Sequence, residues 1–155
     1  MKARGMMLLC LLLVGCDQPN DTQLRLDASR QLQWTIDTNP LRADCENIAR
    51  GREWLTQRTL KQLETRGCQN VLRSASETNF ITTAIYRHSM TIVCGSIRGK
   101  SFTGTELNRR FVYSSEEKAL VIEPMSDQDK TRFEGQKSLQ QLQDDFNRQT
   151  TQYCQ

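Results

Sequence analysis

The chain contains one histidine, His88, and six cysteines, which are the side chains best suited to catalysis or metal binding. A Ser-His-Asp or Cys-His site would depend on His88, because each needs an imidazole as its base. His88 falls in a polar break between two β-like runs, where we expect an exposed turn. No two cysteines have C-x-x-C spacing, so we expect no zinc site either.

Two further patterns could indicate chemistry. The stretch GSIRGKSFTGTE, residues 95–106, has the glycines and the cation of a phosphate-binding loop. However, Gly95 and Gly99 are four residues apart rather than five, and no strong helix signal follows. The paired carboxylates Glu116-Glu117 and Asp144-Asp145 are adjacent in sequence, which is typical of solvated surface. We therefore expect a protein without enzymatic activity or cofactor.

The first residues have the parts of an export signal. Two basic residues precede the apolar run Met6–Val14, which ends at Gly15 and Cys16 and is followed by polar residues. This run is much shorter than the roughly 20 apolar residues that cross a bilayer as a helix. The sequence therefore predicts a cleaved signal peptide over residues 1–15 and no permanent transmembrane anchor.

The sequence Leu13-Val14-Gly15-Cys16 resembles the lipobox of bacterial lipoproteins. In that family the cysteine thiol receives a diacylglycerol, the signal is cut before the cysteine, and the new amino terminus is acylated, as with palmitate. The resemblance implies a lipid anchor at Cys16, and two or more buried acyl chains hold a protein firmly. The alternative is an ordinary signal peptide with a chance cysteine.

Asp17 follows the predicted lipidation position and resembles the residue that retains such lipoproteins at the inner membrane. This resemblance favours the periplasmic face of the inner membrane over the outer membrane. The alternative is that Asp17 is only the first residue of a polar linker. Residues 16–30 are polar and low in bulky side chains, which predicts a lipidated tether.

Removal of residues 1–15 leaves 140 of the 155 residues, enough for one domain with a modest core. We therefore predict a single periplasmic domain over residues 31–155. The signal carries away two of the 21 Lys and Arg residues, which leaves 19 against 18 Asp and Glu. This near balance gives no electrostatic reason to expect nucleic-acid binding.

Four cysteines remain after Cys16, and an even number in an exported chain predicts two disulfides, because the periplasm is oxidising. Three connectivities are open. A bond from Cys45 to Cys68 would need a break in the helix between them, since one unbroken helix would separate them by roughly 35 Å. Gly51 is the obvious place for that break. A bond from Cys94 to Cys154 meets few geometric objections.

The periodicity of apolar residues predicts an α+β domain. Residues 39–67 have helix start and stop signals and predict one helix or two, hinged near Gly51. From residue 79 onward, two pairs of β-rich runs predict an antiparallel meander of about four strands. An amphipathic helix is predicted at the C-terminus, with an apolar stripe. The stripe consists of Leu139, Leu142, Phe146 and Tyr153.

Residues 22–37 permit two interpretations. Leu32, Trp34 and Ile36 alternate, as in a half-buried strand, whereas Leu24, Ala28, Leu32 and Ile36 recur every four residues, as in a helix. The two patterns share two residues, so the sequence leaves the choice between strand and helix open.

Residues 72–113 have a fainter resemblance to small, mostly uncharacterised exported bacterial proteins. It is carried by IVCGSIRGKSFTG and RRFVY, between residues 92 and 113, where a strand ending in V-C-G precedes a polar loop, glycines and a second strand. LRSASETNF, residues 72–80, stands where that group has an L-x-D-P-x-S-A-x-F segment. The resemblance implies a helix, meander and helix order, and a bond between Cys94 and a cysteine near the C-terminus, here Cys154. It implies no activity.

Basic residues crowd the segment 98–110, interleaved with Phe102 and Phe111; they are Arg98, Lys100, Arg109 and Arg110. One interpretation is a solvated sheet edge that charge protects from aggregation. The functional interpretation is a contact surface for an acidic protein partner or for lipid headgroups.

The sequence favours a membrane-anchored, non-enzymatic lipoprotein that docks on another envelope protein, for instance as an accessory of a secretion, conjugation or exclusion apparatus. The alternative is a periplasmic inhibitor or immunity protein that meets an incoming toxin or wall-degrading enzyme. That protein would use a rigid loop, such as residues 98–110.

Overall fold

The computed structural model describes residues 18–50, 54–130 and 134–155. These residues form four α-helices and one antiparallel sheet with strand order β1-β2-β3-β4, so the predicted α+β class and meander are confirmed. The elements are α1 (Asp21–Asp37), α2 (Pro40–Ala49), α3 (Gln57–Arg66), β1 (Asn79–Arg87), β2 (Thr91–Lys100), β3 (Glu106–Ser114), β4 (Ala119–Ile122) and α4 (Leu139–Tyr153).

Residues 22–37, for which the sequence allowed either a strand or a helix, belong to the helix α1. Asn20 caps it, because its side-chain oxygen accepts a hydrogen bond from the backbone N–H of Gln23 at 2.9 Å. The residues that recur every four positions, Leu24, Ala28, Leu32 and Ile36, are all buried. Trp34 is 61% exposed, so the alternation that indicated a strand does not describe a buried face.

The tether predicted over residues 16–30 is too long. Residues 21–30 belong to α1, and Leu24 and Ala28 lie in the main core, so this part of the prediction is wrong. The composition was misleading because a helix with one narrow buried stripe is polar at most positions. Outside the described residues lie the predicted signal peptide 1–15, Cys16, Asp17 and the proposed hinge at Gly51.

The sheet is covered by a helix on each side. Residues that face each other across antiparallel strands lie on the same side of a sheet, so each pairing assigns a face. Val93, Ile97 and Phe111 lie on the face that packs against α1. Cys94 and Val112 lie on the opposite face, where they pack against Phe146 of α4. The order of layers is therefore α1, sheet, α4.

Two short turns close hairpins of the meander, and the first contains the turn predicted at His88. The first lies at residues 88–90, between β1 and β2, and the second at residues 115–118, between β3 and β4. Lys118 has a φ of 48°, the left-handed conformation that such tight turns use. Ser126 and Asp129 form a capping box, which opens a short 3₁₀ turn.

Two disulfides are present, as predicted. Cys94 is bonded to Cys154 with their Cα atoms 6.0 Å apart, which ties β2 to the end of α4. Cys45 is bonded to Cys68 with a Cα separation of 5.8 Å, which α2 and α3 permit because they are separate helices. This second bond lies in a small core of its own, together with Leu63, Val71 and Phe102.

The buried stripe of α1 gives a direct test of the fold. We expect Leu24→Ala to lower the free energy of unfolding by about 2–5 kcal/mol, because Leu24 is fully buried. Leu26→Ala is the matched control on the same helix, and we expect it to change stability by less than about 0.5 kcal/mol, since Leu26 is 47% exposed. Urea unfolding of the chain from Gln18 onward measures both; equal effects would show that α1 does not pack as described.

Candidate partner-binding face

Half of one sheet face is left uncovered. The pairings place Arg98 opposite Asn108, and Ser96 opposite Arg110, on the same face that α4 covers nearer the other end of the strands. On this uncovered half the side chains are exposed or half-exposed. We call it the open face, and it consists of Asn79, Ile81, Ser96, Arg98, Lys100, Glu106, Asn108 and Arg110.

Arg98 and Lys100 give the open face its positive charge. Both are exposed, and within the described part of the chain neither forms an ion pair. Glu106 stands opposite Lys100 in the register, and Glu77 is near enough for Lys100 to contribute to lowering its pKa, after the larger effect of a hydrogen bond from Arg73. The two cations remain available to an outside carboxylate.

Arg110 belongs to the same face but is held by its neighbours. Its Nη2 atom lies 2.5 Å from an oxygen of Glu123 and 2.7 Å from Oδ1 of Asn147, and its guanidinium lies 5.2 Å from the ring centroid of Phe146. This arrangement fixes the guanidinium at the border between the open face and α4. Arg110 therefore has a fixed position at the edge of the open face, and Glu123 balances most of its charge.

Arg109, predicted as part of the same surface, is buried and lies on the other face of the sheet. It stands opposite Ile97 in the register, and its side chain is only 8% exposed. Its guanidinium pairs with Asp129 at 3.1 Å and donates to the backbone oxygen of Glu123 at 2.7 Å. The prediction is wrong for this residue because adjacent strand residues point to opposite faces.

The segment 98–110 is a hairpin rather than a projecting loop. β2 extends to Lys100 and β3 begins at Glu106, so only five residues connect the two strands. Ser101 Oγ accepts hydrogen bonds from the backbone N–H groups of Thr103 and Thr105, and Phe102 is buried in the core around the Cys45 disulfide. The turn is therefore fastened to the domain.

Gly95 and Gly99 of this segment allow close packing, whereas Gly104 lies in the turn with a φ of 82°. A Cβ atom on Gly95 would lie 2.2 Å from the carbonyl oxygen of Ile81 and 2.7 Å from the ring of Phe111. A Cβ atom on Gly99 would lie 2.7 Å from Oγ1 of Thr78. Both glycines are in β2, so the arrangement differs from a phosphate-binding loop, in which backbone N–H groups converge on an anion.

The other candidate side chains do not converge on a site. His88 is exposed in the first turn, as expected, with its ring stacked on Tyr86 at a centroid distance of 6.5 Å. Glu116, in the turn between β3 and β4, accepts a hydrogen bond from the backbone N–H of Thr91, which directly follows the turn between β1 and β2. This contact links the two turns. Asp145 pairs with Lys137 and is one of the exposed charges of α4.

Across residues 18–50, 54–130 and 134–155, no group of three or more His, Cys, Asp or Glu side chains could hold a metal ion. In the same ranges, no helix has the length and apolar character needed to cross a membrane.

A groove of about 790 Å³ runs beside β4, between the C-terminal half of α1 and α4. Leu120 and Ile122 of β4 and Trp34 of α1 contribute apolar walls. Among the described residues, three cationic and three anionic side chains line it. They are Arg109, Lys137 and Arg148 with Asp129, Glu134 and Asp145.

Sequence reasoning missed the residues that complete the open face. Asn79 and Ile81 of β1 and Asn108 of β3 join it only through strand register, which a single sequence does not reveal. Glu123 and Asn147, which hold Arg110, are 13 and 37 residues away from it in the chain. The one available signal was the alternation of charged and apolar residues along β2 and β3.

Comparison with known proteins gives no independent assignment. No protein-family model, curated protein or solved structure matches this chain. The lipobox resemblance of residues 13–16 and the V-C-G resemblance of residues 72–113 therefore stay predictions, and function has to be inferred from the open face and its position in the chain.

The pair formed by Arg110 and Glu123 predicts a pH dependence of stability. The hydrogen bond from Arg110 lowers the pKa of Glu123, against the opposing effect of burial. A carboxyl group with a lower pKa in the folded than in the unfolded chain stabilises the fold above its unfolded pKa, and this contribution disappears as the pH falls through the folded pKa. We expect Glu123→Gln to lose less stability than the wild type between about pH 5 and pH 3.

Urea unfolding at several pH values in that interval measures this difference. Arg110→Met is the matched variant, because it removes the side-chain donor but keeps the hydrogen bond from the backbone N–H of residue 110, so its pH dependence should lie between those of the wild type and Glu123→Gln. Identical pH dependence in the wild type and both variants would contradict the role assigned to this pair.

Proposed function

We propose that this chain is a lipid-anchored, non-enzymatic envelope protein whose folded domain binds an acidic surface of another protein through the open face. The observation that carries the proposal is the pair of exposed cations, Arg98 and Lys100, neither of which forms a salt bridge within the described residues, although Glu106 and Glu77 lie near Lys100. The anchor is inferred from the lipobox resemblance at Cys16, and the disulfides suit an oxidising compartment.

The side chains of the open face are those of a protein interface. Ile81 is 43% exposed and supplies apolar contact area beside the two cations. Asn79, Ser96 and Asn108 add side chains that can donate and accept hydrogen bonds. Guanidinium and ammonium groups bind carboxylates, and Arg does so with two parallel hydrogen bonds. An acidic protein surface with an apolar centre is therefore the matching partner.

The face is rigid before it binds. Its residues are on β1, β2 and β3, where β2 is paired on both sides over nearly its whole length. Arg110 is fixed by Glu123, Asn147 and Phe146. A pre-ordered surface loses little conformational entropy on association, so a small set of contacts can give useful affinity.

Docking through a flat surface is favoured over inhibition by an inserted loop. The inhibitor alternative relied on the segment 98–110 entering the cleft of an incoming enzyme. That segment is two paired strands whose short turn is held at Ser101 and Phe102, so only a small tip around Gly104 and Thr105 projects from the hairpin. The open face offers a larger contact surface than this tip.

Charge reversal tests the proposed interface. The chain, with a C-terminal tag, is crosslinked in cells and recovered, and the bound proteins are identified by mass spectrometry. We expect Arg98→Glu combined with Lys100→Glu to reduce recovery of the principal partner at least tenfold, because attraction to carboxylates becomes repulsion. Recovery should also fall as the salt concentration rises, since the contacts are at the surface.

Arg58→Glu combined with Lys61→Glu is the matched control, because it makes the same change of charge at exposed positions on α3. That control should retain the partner, and both double variants should remain in the membrane fraction. Cys16→Ser should leave the membrane fraction, which tests the anchor separately. Equal losses in the two double variants would reject the open face as the interface.

A further inference from the structure

The folded domain begins very close to the proposed lipid anchor. Nη2 of Arg87 donates to the backbone oxygen of Pro19 at 3.1 Å and lies 2.7 Å from Oδ1 of Asp21. These contacts fix the chain before α1 to the end of the sheet where β1 meets β2. Cys16 precedes Pro19 by three residues, and three residues span at most about 11 Å when fully extended. The bilayer surface is then close to this end of the sheet.

The open face lies toward the other end of the strands. Thr91, which pairs with Arg87, is the first residue of β2, and Arg98 and Lys100 follow it by seven and nine residues. At about 3.3 Å per strand residue, these distances are about 23 Å and about 30 Å. A domain held by the Pro19 end therefore carries its two unpaired cations well above the headgroups.

Tilting the domain does not bring the open face onto a flat membrane. α4 packs on the same side of the sheet, through Phe146 against Val112 and through the bond between Cys154 and Cys94. A helix with its side chains is about 10 Å thick, so α4 projects beyond the plane of the open face. If the sheet lay parallel to the bilayer with this side down, α4 would touch the headgroups first.

The end of the domain nearest the anchor has no surplus of positive charge. Arg87 is paired with Asp21, and the neighbouring β3–β4 turn contains Glu116, Glu117 and Lys118. The turn belongs to this end, because the backbone N–H of Ser115 donates to the oxygen of Thr91. Anionic lipids would therefore not draw this end flat against the membrane, and the short connection to Cys16 is what keeps it there.

We infer that the open face is held off the bilayer, up to about 20–30 Å from it when the strands stand upright, and that its ligand is the acidic surface of a protein domain that projects from the membrane, and not a lipid headgroup. This inference rests on the proposed anchor at Cys16. It specifies the partner further: the partner presents its carboxylates at that height, beside the membrane in which Cys16 is embedded.

Tryptophan fluorescence in vesicles tests the orientation. The full chain is purified from bacterial membranes with its lipid and placed in vesicles of phosphatidylethanolamine and phosphatidylglycerol that contain headgroup nitroxide lipids. Trp34 and Trp54, both exposed, are replaced by Phe, and single tryptophans are introduced as Ser89→Trp, Arg98→Trp or Lys100→Trp. We expect Ser89→Trp, in the turn beside the anchor, to lose more than half of its emission, and the other two to be unaffected.

Quenching of Arg98→Trp or Lys100→Trp as strong as that of Ser89→Trp would overturn the inference, because the open face would then lie on the lipid. Absence of quenching in all three would also overturn it, since the anchored end would not be at the bilayer. The mass of the peptide that begins at residue 16 reports acylation separately. A peptide without lipid would refute the proposed anchor, whereas an acylated chain with the wrong quenching pattern refutes only the orientation.

Discussion

The bond between Cys94 and Cys154 is the constraint on which the arrangement of the domain depends. Cys94 is in the middle of the sheet and Cys154 ends α4, so the bond seats the C-terminal end of α4 over β2. α4 packs on Cys94 and Val112 through Phe146, and Asn147 reaches Arg110. These contacts leave the Arg98 end of that face uncovered, and the open face is this remainder.

On the face of the sheet that packs against α1, the described residues leave no comparable uncovered area. α1 spans 17 residues, and Leu72 and Ala75, which follow α3, close the part of the main core that α1 does not reach. The small core around Cys45 and Cys68 lies beyond, and Phe102 joins it to the turn between β2 and β3. The two faces of the sheet therefore differ in burial. The face against α1 is covered and stabilises the fold, whereas half of the face against α4 stays accessible.

The spacing of apolar residues along the sequence predicted those elements in which the spacing fits only a strand or only a helix. The four strands, their turns and the stripe of α4 followed from alternation or from helical spacing, and all are observed. Residues 22–37 remained open because Leu32 and Ile36 fit both periods, and only the burial of Leu24 and Ala28 against the sheet decides for a helix. The tether was overestimated for the same reason, since a narrow buried stripe leaves a helix polar in composition.

The candidate site was predictable only in part. The cluster of cations between residues 98 and 110 marked the correct region, but it mixed three different environments. Arg109 is buried against Asp129, Arg110 is balanced by Glu123, and Arg98 with Lys100 remain unpaired. These differences arise from strand register and from contacts with residues distant in sequence, which local patterns do not contain. In the proposed function the unpaired cations are what the partner recognises, and the proposed position of the anchor near one end of the sheet rests on the contact of Arg87 with Pro19.

Site-specific photocrosslinking at Asn108 tests the central claim most directly, because Asn108 stands opposite Arg98 on the open face. A photoreactive residue at this position, in the full chain in living cells, should form a crosslink to one envelope protein, and the same residue at the exposed position of Glu117 should not. A crosslink from both positions, or from Glu117 alone, would contradict the account, as would adducts at Asn108 that contain lipid rather than protein.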